Sequence, residues 1–80
     1  MPTVTVYSRP NCGLCDELKQ QLEALRADAE FEWREVDIDQ DADLRRRYND
    51  AVPVVAVDGV EVCRHRLNAS KFLESLRRIP

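Results

Sequence analysis

The chain has 80 residues, 44% hydrophobic and 34% charged, with 15 acidic residues against 12 basic ones and a formal net charge of −3. At this length the size scaling of folded surfaces buries roughly 63% of the unfolded chain's area, enough for one modest core and a single domain over 1–80, with no room for a second. The balance excludes a disordered tail, no apolar run approaches the roughly 20 residues of a spanning helix, and the acidic net charge carries no nucleic-acid footprint.

Thr3–Ser8 predicts a strand, because β-branched and aromatic residues dominate and Val4 and Val6 alternate with Thr3, Thr5 and Tyr7. Arg9-Pro10-Asn11 breaks it. Over 12–29 the period changes: Leu14, Leu18, Leu22, Leu25 and Ala29 form one apolar stripe of a helix. Asp16 and Glu17 fall in its first turn, where the helix dipole favours acids. The stretch 31–38 predicts a second strand with imperfect alternation. Phe31 and Trp33 share one parity, Val36 and Ile38 the other, and a bulge or a later start reconciles them. Phe31 and Trp33 read as core or edge-strand packing.

The stretch 39–49 predicts a short polar helix anchored by Leu44 and Tyr48. Its Arg45-Arg46-Arg47 run reads as a solvated face, with a docking patch as the rival reading. Val54-Val55-Ala56-Val57 is a continuous apolar run, as in a strand covered on both faces. Asp58-Gly59 is a hairpin signal, so Val60–Arg64 is expected to pair antiparallel with that run. Asn68 is a good N-cap, and Phe72, Leu73, Leu76 and Ile79 give a terminal helix. Asn68-Ala69-Ser70 also matches a glycosylation sequon, read here only as a helix start. The order is β-α-β-α-β-β-α, an α/β chain with a mixed four-stranded sheet. The first two strands run parallel through a right-handed crossover.

Chemistry concentrates in Cys12-Gly13-Leu14-Cys15, where a strand ends and a helix begins. Residues three apart on a helix lie roughly 5–6 Å apart, and a disulfide accepts Cα separations of about 4.4–6.8 Å. The pair can therefore close and reopen with little backbone movement. Unpaired N–H groups at the helix start favour a thiolate at Cys12. Its loop position exposes Cys12, whereas Cys15, one turn in, is shielded. Cys12 is thus the expected nucleophile, and Cys15 the thiol that resolves the mixed disulfide. Arg9 is close enough in sequence to support the thiolate, while Asp16 and Glu17 oppose it. The rival reading is half of a zinc site, but zinc takes four ligands, and only Cys63 and His65 are at hand to complete it.

With these residues in view the chain resembles the thioredoxin superfamily and, within it, a short bacterial glutaredoxin-like branch. The resemblance rests on Tyr7-Ser8-Arg9-Pro10-Asn11-Cys12-Gly13-Leu14-Cys15, on Val36-Asp37-Ile38-Asp39, on Val52-Pro53-Val54-Val55 and on Asp58-Gly59, in that order over nearly the whole chain. It implies a thioredoxin-like (glutaredoxin-type) three-layer sandwich. It also implies that Pro53 is a cis-proline beside the disulfide, with the Val52 backbone offered to an extended thiol-containing substrate. The chain departs from the family at two places. Gly13-Leu14 stands between the cysteines, and Cys63 and Arg64 occupy the place of a Gly-Gly pair that brings backbone amides to a glutathione carboxylate. Arg64 or Arg66 would then hold a carboxylate by a forked contact.

The expected function is a thiol–disulfide oxidoreductase acting on a disulfide-containing protein or a glutathione mixed disulfide. Cys12 and Cys15 are catalytic, and Arg9, Val52, Pro53 and Arg64 contact substrate. No metal or organic cofactor is expected; electrons come from glutathione or a reductase. A monomer is expected, without nucleic-acid or membrane partners. Met1-Pro2-Thr3-Val4 lacks the charged and apolar regions of a secretory signal, and three cysteines do not make a stapled secreted scaffold, so the expected location is cytoplasmic. Two rivals stand beside this reading: a binding module with weakened catalysis, and metal or iron–sulfur handling by Cys12, Cys15 and Cys63. By parity Cys63 shares a strand face with Glu61, either as a core filler or as a third thiol able to trap Cys12. His65 is either a proton donor to the leaving thiol or a solvated turn residue.

Overall fold

The computed structural model describes residues 2–78. Its four strands, β1 (Thr3–Ser8), β2 (Glu32–Asp37), β3 (Val54–Val57) and β4 (Val60–Arg64), form one sheet in the order β2-β1-β3-β4. β1 runs parallel to β2 and antiparallel to β3. Its alternation sends Val4, Val6 and Ser8 to one face, all buried. Helices α1 (Gly13–Leu25) and α3 (Ala69–Arg77) cover that face, where Leu18, Leu22 and Phe72 pack with Val4, Val6, Val55, Val57 and Phe31. The opposite face carries α2 (Ala42–Tyr48), where Tyr48, Ile38, Ala51 and Val54 form a smaller core with Tyr7 against it. The result is the expected three-layer α/β sandwich.

Local chemistry moves four of the expected boundaries. α1 stops at Leu25 rather than 29. No basic residue occupies its last turn, and the chain closes through amides bonded three residues back, Ala27 to Ala24 at 3.3 Å and Asp28 to Leu25 at 2.9 Å. β2 starts after Phe31, which resolves the mixed parity: Phe31 enters the core from the preceding residue, edge-on to Phe72 at 5.1 Å. Ile38 has left the strand for a 3-10 turn, Ile38–Gln40. The expected helix over 39–49 is therefore split. The Asp37 carboxylate accepts the Asp39 amide, and Asp41 caps α2 by accepting the amides of Asp43 and Leu44. Ile79, assigned to the terminal helix, lies outside the described residues.

The β3–β4 hairpin turns on Asp58 (φ 49) and Gly59 (φ 84), the two left-handed positions of a type I′ turn. Its register then slips. Val55 faces Cys63 and Ala56 faces Glu61, so Val62 is the extra residue of a bulge. Cys63 consequently turns into the α1–α3 core while Glu61 emerges on the opposite face. The parity argument that put these two residues on one face fails for that reason.

Candidate active site

The chain leaves β1 through Arg9 and Pro10 and bends at Asn11, whose φ of 60 is a left-handed conformation that Asn tolerates. The bend delivers Cys12 as the N-cap of α1, with Cys12 Sγ accepting the Cys15 amide at 3.2 Å. A sulfur thus takes the place of the usual capping oxygen and sits where α1's free N–H groups favour negative charge. Cys12 and Cys15 are joined as a disulfide with Cα atoms 5.2 Å apart. Cys12 is half-buried, whereas Cys15 is 1% exposed. The asymmetry expected of an attacking and a resolving thiol is present.

The Val52–Pro53 bond is cis. The Val52 amide donates to Tyr48 O at 3.2 Å, and the Pro53 carbonyl accepts the His65 amide at 2.8 Å. His65 itself has φ 68 and an exposed side chain, so the structure places it in the turn before α3. Cys63 is buried, with its Sγ 3.9 Å from Asn68 O. Among the described residues no three His, Cys, Asp or Glu side chains converge as a metal-ligand set.

Two polar arrangements at the end of β1 were not anticipated. Ser8, 2% exposed, donates to Glu35 Oε2 at 2.6 Å, and Lys19 Nζ donates to the same oxygen at 2.8 Å. The lysine, then the serine, hold the Glu35 carboxyl below its ordinary range, and the carboxylate in turn raises Lys19. A signal for this existed in the sequence: Ser8 is polar at an inward strand position. The second arrangement concerns Arg9. Its guanidinium turns toward the end of α2, donating to Asn49 Oδ1 at 2.8 Å, Asn49 O at 3.3 Å and Asp39 Oδ1 at 3.2 Å. No local pattern couples Arg9 to partners 30 and 40 residues away.

The family model described as "Glutaredoxin-like domain (DUF836)" matches residues 3–77. The chain belongs to this glutaredoxin-like family. It is 33% identical over 78 residues to the uncharacterized protein Mb0520 of Mycobacterium bovis, covering 85% of this chain and 80% of that protein. Among solved structures it is similar to protein Ne2328 from Nitrosomonas europaea, with a TM-score of 0.85 and 32% identity over 92% of this chain and 89% of that one. It is also similar to Fasciola hepatica thioredoxin, with a TM-score of 0.61 and 30% identity over 96% of this chain and 79% of that one.

Within this glutaredoxin-like frame the two arginines proposed for a carboxylate differ. Arg64 is engaged: its Nε and Nη2 donate to the two oxygens of Glu61 at 2.5 and 2.9 Å. The bulge at Val62 creates that pair, because it brings residues three apart in a strand onto the same face. Arg66 lines a cavity of about 170 Å³ with His65, Leu67, Leu14 and Glu17. Leu14, between the two cysteines, is 44% exposed there.

Proposed function

We propose that this glutaredoxin-like chain is a thiol–disulfide oxidoreductase that reduces protein or small-thiol disulfides. The observation carrying the reading is the asymmetry at the start of α1, where half-buried Cys12 Sγ accepts a helix amide and Cys15 is shielded one turn behind it. In the reduced protein the Cys12 thiolate attacks one sulfur of the substrate disulfide. The Cys12–substrate bond forms as the substrate's own S–S bond breaks, and the first thiolate departs. Cys15, losing its proton, then attacks Cys12 Sγ. The Cys12–Cys15 bond forms, and the second thiol leaves. The substrate has gained two electrons and the enzyme has lost two. Two equivalents of glutathione, or one dithiol reductase, return them.

With its amide bonded to Tyr48 O, Val52 offers an extended substrate its carbonyl beside cis-Pro53. With Arg64 held by Glu61, Arg66 becomes the group for a substrate carboxylate at the cavity beside Leu14. A protein of this kind works as a monomer in a reducing compartment such as the cytoplasm.

The test has two parts. Intact mass after oxidant and after reductant is expected to differ by two hydrogens, localised to the segment holding Cys12 and Cys15, and disulfide reduction with glutathione is expected to vanish in Cys12→Ser. Equal near-zero rates for wild type and Cys12→Ser would favour a binding module. Arg66→Ala is expected to raise KM for a glutathione mixed disulfide about fivefold, within the range of a lost charge-assisted contact. An unchanged KM removes Arg66 from the substrate site.

A further inference from the structure

Tyr7 pairs with Val54 in antiparallel β1 and β3, so two segments meet at the end of the sheet from which the Cys12 turn departs. One is the turn after β1, which carries Cys12; the other runs from the end of α2 to Val52 and Pro53. Arg9 lies three residues before Cys12, and Asn49, the C-cap of α2, lies three residues before Val52. The Arg9 guanidinium ties them through the Asn49 carbonyl and Asn49 Oδ1, and a third contact runs to Asp39. The chain beyond Asn49 is itself held. The amides of Ala51 and Val52 both bond Tyr48 O, at 2.9 and 3.2 Å, so a displacement at Asn49 is passed on to Val52. Stacking of Tyr7 on Tyr48, centroids 4.7 Å apart, ties the same two segments one step further back.

The acceptors are a carbonyl, an amide oxygen and a carboxylate. A planar guanidinium with its donors in a fixed fork serves them together, where an ammonium is a single compact charge. Arg9 is thus spent on partners away from Cys12, and among the described residues its buried Nε meets no acceptor.

We propose that Arg9 is a positioning residue. By clamping Asn49 it fixes the separation between the segment carrying Cys12 and the segment carrying Val52 and Pro53, the two walls between which a substrate disulfide is received. The proposal rests on the oxidoreductase reading for its purpose, but the clamp itself is measurable without turnover.

The experiment compares reduced wild type with Arg9→Ala, Arg9→Lys and Asn49→Ala. Three readouts are taken: KM and kcat for the mixed disulfide of glutathione with a cysteine peptide, the rate of iodoacetamide at Cys12, and hydrogen exchange of the Val52 amide. Arg9→Ala and Arg9→Lys are both expected to raise KM about tenfold, the scale of one charge-assisted hydrogen bond. Val52 exchange should quicken by a similar factor, while the iodoacetamide rate, which needs no second wall, stays within about twofold. Asn49→Ala keeps the Arg9 charge and leaves Asp39 in place, and it is expected to move KM and exchange in the same sense by less. Recovery of KM in Arg9→Lys, or a fall in alkylation that parallels KM, would mean that charge on the thiolate is what matters, and would overturn the clamp. An unchanged Val52 exchange in Arg9→Ala would overturn it too. If wild type itself turns nothing over, the oxidoreductase reading fails, and Val52 exchange alone decides the clamp.

Discussion

Leu14 and Leu18 offer a matched pair on one helix. They stand one turn apart on α1, flanking Cys15, yet Leu18 is 1% exposed and Leu14 is 44% exposed. Leu18 packs with Val6, Leu22 and Phe72 in the main core. Leu18→Ala therefore loses the transfer energy of its methyl groups and leaves a cavity that a close-packed core fills only in part, a cost of about 3 kcal/mol. Leu14→Ala loses part of the same transfer energy and leaves no cavity, so about 0.5–1 kcal/mol is expected. A domain of this size has a total stability of roughly 4–12 kcal/mol. Leu18→Ala thus removes a quarter to most of it. Urea unfolding followed by Trp33 fluorescence is the assay. With a slope of about 1 kcal/mol per molar, the midpoint should fall by about 3 M for Leu18→Ala and by no more than about 1 M for Leu14→Ala. Equal shifts, or the larger shift at Leu14, would refute the packing argument and the seating of α1 on which the Cys12–Cys15 geometry depends.

Two further outcomes follow from the site. In the reduced folded protein iodoacetamide should modify Cys12 first. Cys15 and Cys63, 1% and 6% exposed, should react only after denaturation, and peptide mass mapping with time checks the order. The carboxyl of Glu35 is held below its ordinary value of 4.5 chiefly by Lys19, so its contribution to stability is present above that value and lost as pH falls through the lower folded-state value. Its side chain is 41% exposed, so the contribution is at most about 1 kcal/mol. Glu35→Gln should flatten the acid limb of a stability–pH curve, and an unchanged limb would show that the Lys19 contact contributes nothing.

Much of the fold was legible because its signals are local. Alternation in β1, the leucine stripe of α1, the Asp58-Gly59 turn and the Asn68 cap each lie within a few residues. So does the spacing of Cys12 and Cys15, which a single helical turn closes to disulfide distance. Where local signals competed, the outcome was less legible. Apolar anchors at Leu44 and Tyr48 allowed one helix over 39–49, but the Asp37 and Asp41 carboxylates cap separate turns and divide it. Phe31 and Ile38 lie just outside the strand that their parities were used to judge.

By itself the amino-acid sequence determined the β-α-β-α-β-β-α order, the place of the cysteine pair at a helix start and which thiol is the more shielded, since all three follow from periodicity and helix ends. Tertiary structure alone decided what the long side chains do. A guanidinium on a flexible stem reaches acceptors in any direction, and those acceptors come from distant segments. Arg9 was therefore drawn to Asn49 and Asp39 by the stacking of α2 on the sheet, although Cys12 is its near neighbour in sequence. Arg64 was matched to Glu61 by a single extra residue in β4, a register slip that two strands settle only by pairing.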